Sequence, residues 1–346
     1  MRLALIGATG YAGLELLRIL SRRQGDELVL VTSRKETGRR LTEIFPALAG
    51  EANYNDLTLT APTHLSGQAD IYLLAAQHGA AMNLVPELLR DGAKVIDLSA
   101  DFRLKSAQLF DRWYGPHSSP ELLPKAVYGL VELYRQSIAT ASLIANPGCY
   151  PTSIILALAP ILKASLLDDS QVIVADSKSG VTGAGRGASQ ITSFCEVSDN
   201  FRAYKVSGHR HSPEIIQELS ILNGQVVKLT FTPHLVPMNR GILSTIYLKI
   251  KGQPKLVDLR EIYLEFYRSD RFVRVRPLDY PPETADVRGT NYCDLGLFYD
   301  QESELYKIVS VIDNLCRGAA GQAVANLNLM TGRPEDLGLS GSGLRP

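Results

Sequence analysis

The 346-residue sequence lacks most of the features that assign a chain to a special class. It has no charge excess: 36 Lys and Arg balance 36 Asp and Glu, so no global field draws it to nucleic acid or to an anionic membrane. It has no apolar run near the ~18–20 residues that a membrane span needs. The opening MRLALIGATG reads as the start of a folded domain, since a signal peptide would place a basic stretch before an unbroken apolar one. Cysteine is scarce. Cys149, Cys195, Cys293 and Cys316 are widely scattered, match no zinc spacing and are not needed as disulfides in a chain of this length. The expectation is reduced thiols in a cytoplasm and no metal. There is no internal repeat and no low-complexity segment. An anionic ligand must then be met by local charges, and a reactive thiol must be identified by its position.

Apolar residues at 45% and charged residues at 21% suit a globular chain long enough for two cores. In the first half, short apolar runs at residues 3–6, 28–32, 71–75, 94–98 and 143–145 alternate with helical stretches. Continuous apolar strands separated by helices predict a doubly wound, Rossmann-type parallel sheet over residues 1–150. The second half differs. Residues 171–175, 227–231, 243–250, 272–276 and 306–312 are strand-like, and several alternate apolar with polar positions. This predicts an α+β domain over residues 151–313, built on a mixed, largely antiparallel sheet with one solvated or interface face. Helices are expected over 256–269 and 314–330. The tail after Gly332, rich in Gly, Ser and Pro, is expected to be poorly ordered.

Gly7, Ala8, Thr9, Gly10, Tyr11, Ala12 and Gly13 lie between the first strand and the first helix. Glycines there let the backbone turn tightly and approach a pyrophosphate, which then sits on the helix N-terminus. An acidic residue at the end of the second strand would hold a ribose hydroxyl, as for NAD. This chain has Thr32, Ser33, Arg34 and Lys35, which suit the 2′-phosphate of NADP(H). His78 and Gly79, after the third strand, lie where cofactor loops lie.

Asn146-Pro147-Gly148-Cys149-Tyr150-Pro151-Thr152 joins an apolar strand to an apolar helix. Cys149 is therefore expected at a helix N-terminus, where the dipole and orphan N–H groups favour a thiolate. Position favours a nucleophile over a core filler. A nucleophilic thiol needs a proton partner. His209 and His211, in GHRHSPE, offer one as proton carrier and the other as a cofactor or structural contact; His64, His117 and His234 read as structural. Arg103, ending the DLSADFR segment, is well placed for a phosphate. Ser179, Gly180 and the following glycines up to Arg186 form either an anion nest or a flexible connector. A thiol hydrolase would need no glycine turn, and an NADP-sensing protein would need no placed cysteine.

Together GATGYAG, DLSADFR, NPGCYPT, SGVTGAGR, GHRHSPEI and TPHLVPMNRG resemble the N-acetyl-gamma-glutamyl-phosphate reductases, with the match running over residues 1–332. NPGCYPT and GHRHSPEI are the specific parts. The resemblance implies a semialdehyde dehydrogenase-like architecture and a last helix, over 314–332, that completes the nucleotide domain. It implies Cys149 as nucleophile and His211 as acid/base. It makes Tyr204, His209, Asn146 and Arg103 substrate contacts, with Arg103 on the phosphate. Ser179, Gly180 and Asn314 would stand at the cofactor. It implies an acyl phosphate substrate, inorganic phosphate as co-product and a homodimer or homotetramer. A paralogous reductase acting on a carrier-bound aminoadipyl or glutamyl phosphate is the alternative.

Overall fold

The apolar runs of the first half become strands buried on both faces. In a computed structural model, which describes all residues except 52–53, 169 and 345–346, they are β1 (Arg2–Ile6), β2 (Glu27–Thr32), β3 (Ile71–Leu74), β4 (Lys94–Asp97), β5 (Val127–Tyr128) and β6 (Leu143–Ala145). They form one six-stranded sheet in the order β2-β1-β3-β4-β6-β5, with every pairing parallel. The helices α1 (Tyr11–Leu20), α2 (Leu41–Ile44), α3 (Ala81–Arg90), α4 (Ala107–Tyr114) and α5 (Val131–Thr140) lie between them in the chain. The strand order reverses between β1 and β3, which is the switch point where such sheets hold ligands. This unit comprises Met1–Pro147 and Ala319–Ser340.

The second unit comprises Gly148–Gly318 and the described residues from 341 on. It begins with α6 (Cys149–Lys163) and continues through β7 (Ile173–Gly180), α7 (Phe194–Val197), β8 (Arg202–Ala203), α8 (Ser212–Asn223), β9 (Leu229–Val236), β10 (Ile242–Leu248), α9 (Leu256–Phe266), β11 (Val273–Val275), β12 (Cys293–Asp300) and β13 (Leu305–Ile312). The sheet order is β11-β12-β13-β10-β7-β9-β8. Four of its six pairings are antiparallel, so it is mixed and largely antiparallel. One face packs on α6, α8 and α9. The other shows alternation to solvent: Val174 and Thr230 are exposed, and Thr245 and Tyr247 half-buried.

α6 is buried from Tyr150 through Leu162. Its sheet-facing polar contact is a set of hydroxyls. Ser153 Oγ lies 2.9 Å from Ser244 Oγ and 3.0 Å from Ser310 Oγ, and Ser177 Oγ lies 2.8 Å from Ser244 Oγ. These serines come from α6, β10, β13 and β7. Each is fully buried and each is hydrogen-bonded, as buried hydroxyls must be.

The structure corrects several expectations. β12 was not anticipated, because Asp294 and Gly296 interrupt its apolar pattern. Asp294 is fully buried, held by Arg274 through Nε (2.5 Å) and Nη2 (2.9 Å), and Gly296 leaves space that Pro282 fills. β7 runs to Gly180, so Ser179 and Gly180 end a strand instead of opening a loop. The expected last helix is two elements, a π turn over Cys316–Ala320 followed by α10 (Gly321–Met330). α10 belongs to the first unit, where Gln322 Nε2 (2.6 Å) and Asn326 Nδ2 (2.9 Å) donate to Gly129 O. The tail is anchored at several points as far as residue 344. Asn328 Nδ2 donates to Glu335 O (2.7 Å) and Leu337 O (3.1 Å), Leu339 is buried, and Leu344 N donates to Arg288 O (2.9 Å). Anchors from distant residues outweigh its local composition; its last two residues lie outside the described ones. No helix among the described residues is long and apolar enough to cross a membrane.

Candidate active site

The glycine turn of the first unit closes onto the ends of three segments. Gly7 has φ +85°, and a Cβ there would fall 2.6 Å from Ala75 O, after β3. A Cβ on Gly13 would fall 2.6 Å from both Gly7 O and Ala8 O. Gly10 is less constrained, with 3.7 Å to its nearest atom. Ala8 N donates to Thr32 O (3.0 Å), Gly7 N donates to Thr32 Oγ1 (3.2 Å), and Thr9 Oγ1 meets Ser33 Oγ at 3.0 Å. Tyr11 and Ala12 open α1, whose N-cap Gly10 offers no side-chain cap. A helix start with orphan N–H groups and glycines that admit close approach fits a dinucleotide pyrophosphate. Arg34 and Lys35 are exposed just past β2, where a 2′-phosphate would reach. Ser33 is buried, and its hydroxyl accepts from Glu36 N (3.3 Å) besides meeting Thr9.

The DLSADFR segment ties the crevice together. Asp101 is fully buried and accepts from Gly79 N at both oxygens (2.8 and 2.9 Å) and from Met82 N (3.1 Å). A carboxylate on the first turn of α3 is a favourable charge placement, and it fixes the His78-Gly79 loop. His78 itself is exposed, with its ring edge against Tyr114. Burial, with the nearby Asp101 charge, raises Asp97 to about 7; bonds from Ser99 and the charge of Arg103 oppose it. Arg103 is buried. Its Nε donates to Asn146 O and its Nη2 to Leu98 O, both at 2.8 Å, which aims the guanidinium from the sheet's C-terminal edge. Asn146 directly follows β6. It is fully buried, its Nδ2 donates to Ala319 O (3.1 Å) and its Oδ1 accepts from Asn326 Nδ2 (3.0 Å), so its side chain ties β6 to the α10 region.

In the second unit, Cys149 is the first residue of α6, half-buried and free of any disulfide. Gly148 is the N-cap, and its N–H donates to Glu214 Oε1 (2.8 Å). Glu214, buried in the first turn of α8, is a residue whose role the sequence did not reveal. Its position, third in a helix after a polar start, signals a capping glutamate. It caps α6 by reaching over to Gly148.

Five rings gather beside Cys149. Tyr150 stands edge-on to His209 (5.8 Å between centroids), His211 (5.9 Å) and Phe231 (5.1 Å), and His209 also meets His211 (4.8 Å), Tyr204 (5.6 Å) and Phe231 (5.4 Å). Tyr204 OH donates to Tyr150 OH (3.2 Å), which donates to His234 O (3.2 Å). Burial pushes the Tyr204 phenol up to about 12 and the Tyr150 phenol well above its usual range, so both stay protonated. His211, the N-cap of α8, donates its backbone N–H to His209 Nδ1 (3.0 Å). That bond makes Nδ1 an acceptor and leaves the imidazole hydrogen on Nε2. Burial, then the neighbouring His211 and Lys205, lower His209 to about 3. His209 is thus neutral near pH 7.

Ser179 and Asn314 are also drawn inward. Ser179 is buried, with Oγ donating to Gly180 O (3.0 Å), and a Cβ on Gly180 would fall 2.7 Å from Asn239 O. Asn314 Oδ1 accepts from Gly241 N (2.8 Å), and its Nδ2 donates to Thr182 Oγ1 (3.0 Å). These bonds tie Asn314 to the residues that follow β7 and precede β10.

His209 makes a pH prediction. Its folded value lies below the ~6.5 of an unfolded imidazole, so only the unfolded chain takes up the proton between the two values. The parent should lose stability relative to His209→Asn as pH falls from 6.5 toward about 3, with no pH-dependent difference above pH 7. Urea unfolding at stepped pH reads this, and a difference that stays constant down to pH 4 would refute it.

The comparisons bear on the whole chain. Residues 2–141 match the family model described as semialdehyde dehydrogenase, NAD binding domain, and residues 149–314 match semialdehyde dehydrogenase, dimerisation domain. The chain is 51% identical over 347 residues to an N-acetyl-gamma-glutamyl-phosphate reductase of Geotalea daltonii, covering all of both chains. It is 52% identical over 342 residues to one from Geobacter sp. (strain M21), covering 98% of each. Among solved structures it resembles aspartate semialdehyde dehydrogenase II of Vibrio cholerae in complex with ASA (TM-score 0.72, 19% identity, 96% and 98% of the two chains). It also resembles aspartate semialdehyde dehydrogenase with NADP from Candida albicans (TM-score 0.68, 15% identity, 95% and 98%). At those identities the likeness is one of fold. The full-length matches near 50% identity go further: the chain belongs to the N-acetyl-gamma-glutamyl-phosphate reductase family.

Proposed function

We propose that this chain reduces N-acetyl-L-glutamyl 5-phosphate to N-acetyl-L-glutamate 5-semialdehyde and phosphate, with NADPH as reductant. One observation carries the reading: a half-buried cysteine opens a buried helix beside a histidine pair of which His209 is held neutral near pH 7. Relatives of this identity bear the name of the acetylated-substrate enzyme, which favours it over a carrier-bound substrate.

The chemistry is assigned as follows. Cys149 passes its proton to His211, and the thiolate attacks the acyl carbon. Phosphate departs, leaving a thioester on Sγ, and Arg103 is the buried cation assigned to the phosphate. When bound, NADPH supplies the hydride that reduces this thioester carbonyl. The resulting alkoxide takes a proton from His211; loss of that proton then breaks the C–S bond, frees the semialdehyde and restores the thiolate. Pro151 has no N–H, so the first-turn amides that α6 offers an oxyanion are those of Cys149 and Tyr150. His209, Tyr204 and Tyr150 hold the site's shape, and Asn314 ties the turn before Gly318 to Gly241 and Thr182. The reaction belongs in the cytoplasm, where four cysteines outside any disulfide stay reduced.

We also assign the open sheet face to a homodimer. Val174, Thr245 and Tyr247 present an alternating, partly apolar surface on a stretch that matches a dimerisation domain.

Cys149→Ser should keep NADPH affinity and lose turnover, and in the reverse direction the parent should need phosphate to form NADPH from the semialdehyde and NADP. Substantial turnover by the variant would refute the covalent route, and a phosphate-independent reaction would refute the acyl-phosphate assignment. Arg34→Ala removes a charge-assisted bond of ~1.5–3 kcal/mol, so KM for NADPH should rise roughly 10–100-fold with NADH turnover unaffected; equal loss for both cofactors would reject the 2′-phosphate contact. Sedimentation should show a dimer or larger assembly that Val174→Glu with Tyr247→Glu dissociates, and a parent that sediments as a monomer ends that proposal.

A further inference from the structure

Gly318 lies in the π turn Cys316–Ala320. A Cβ built on it falls 2.7 Å from Cys149 Cβ and 3.1 Å from Cys149 Cα. Gly318 is not among the glycines with positive φ, so the backbone conformation there does not demand glycine. The demand is for space, and the space is taken by the proposed nucleophile.

Neither side of this contact can retreat cheaply. Asp313, fully buried, accepts from Leu315 N (2.8 Å) and Cys316 N (2.9 Å) at Oδ1 and from Gly289 N (2.7 Å) at Oδ2, and its carbonyl accepts from Gly318 N (2.9 Å). Asn314 ties the same turn to Gly241 and Thr182. Opposite, α6 is buried along its length, and Gly148 at its N-cap is fastened to Glu214. π turns are rare, and many mark functional sites.

We propose that Gly318 is a positioning residue for the nucleophile: the Asp313–Gly318 turn is the wall against which the Cys149 backbone and Cβ are seated, and the absence of a side chain sets where Sγ stands. This rests on the reading of Cys149 as the nucleophile. A methyl group at 318 must displace Cys149 or the turn, and displacement on the ångström scale costs a covalent step about 100-fold.

The test uses Gly318→Ala, Cys149→Gly and the double variant. Gly318→Ala should bind NADPH as the parent does, in fluorescence titration, while kcat falls about 100-fold. Iodoacetamide labelling of Cys149, resolved by peptide mass spectrometry, should change severalfold against that of exposed Cys195 in the same molecule. Gly318→Ala should lower Tm in the parent and much less in the Cys149→Gly background, where the clashing Cβ is gone. If the single variant does not fold, recovery of the double variant supports the contact, and failure of both overturns it. Equal Tm losses in the two backgrounds, or parental kcat with a parental labelling ratio, also overturn it. Turnover by Cys149→Ser would instead defeat the nucleophile reading, while the Tm comparison still reads the contact itself.

Discussion

The burial of α6 on every side is the constraint from which the catalytic unit follows. A helix with an apolar stripe can roll a few degrees over a core; a helix buried from Tyr150 through Leu162 cannot. Its side chains are mostly Ile, Leu and Ala, which carry no directional information, so the register is set by the few polar groups. Ser153 does this against Ser244 and Ser310, with Ser177 bonded in turn to Ser244. Each of these hydroxyls would leave a partner buried and unsatisfied if the helix slid by a turn, at ~1–3 kcal/mol for each group left unpaired. At its N-terminus, Glu214 fixes Gly148 in the same way. The first residue of such a helix is held by everything behind it, and that residue is Cys149.

The first unit meets a different demand. A chain with no net charge can meet an anionic ligand only with local cations; in this unit Arg34 and Lys35 follow β2 and Arg103 follows β4. Arg103 is the costly one, because it is buried. Two backbone carbonyls take its hydrogen bonds, so the guanidinium is partly solvated by the protein before any phosphate arrives. The same segment spends Asp101 on the backbone N–H groups of Gly79 and Met82. Burial first, and then the charge of nearby Asp101, raise Asp97 to about 7. The segment is thus a compromise between a cation kept for a ligand and anions kept for the backbone.

What could be read in the sequence was local. The strands of the first unit announced themselves because burial on both faces makes a strand uniformly apolar, as Ile71–Leu74 is. The glycine turn and the helical start at Cys149 were legible because glycine, proline and an apolar run each constrain the backbone near themselves. What was not legible depended on partners far along the chain. β12 carries Asp294 in its interior, and only Arg274 makes that tolerable. The tail looks disordered by composition, yet Asn328 and Arg288 hold it. Asn146 and Asn314 sit in motifs that suggest ligand contact, and the structure gives their amides to Asn326, Ala319, Gly241 and Thr182. A motif shows that a side chain matters without showing whether it faces the ligand or supports the residue that does.

The histidine pair shows the same division within one site. Two imidazoles 4.8 Å apart in a partly buried cluster cannot both be charged, since each cation would raise the cost of the other. The structure resolves this by burying His209 among Tyr150, Tyr204 and Phe231 and using its Nδ1 to accept the backbone N–H of His211. His209 is thereby held neutral beside His211, which keeps partial exposure. Sequence spacing supplied two candidates for one role. Burial divided the roles between them, because desolvation penalises the charged form of whichever ring lies deeper.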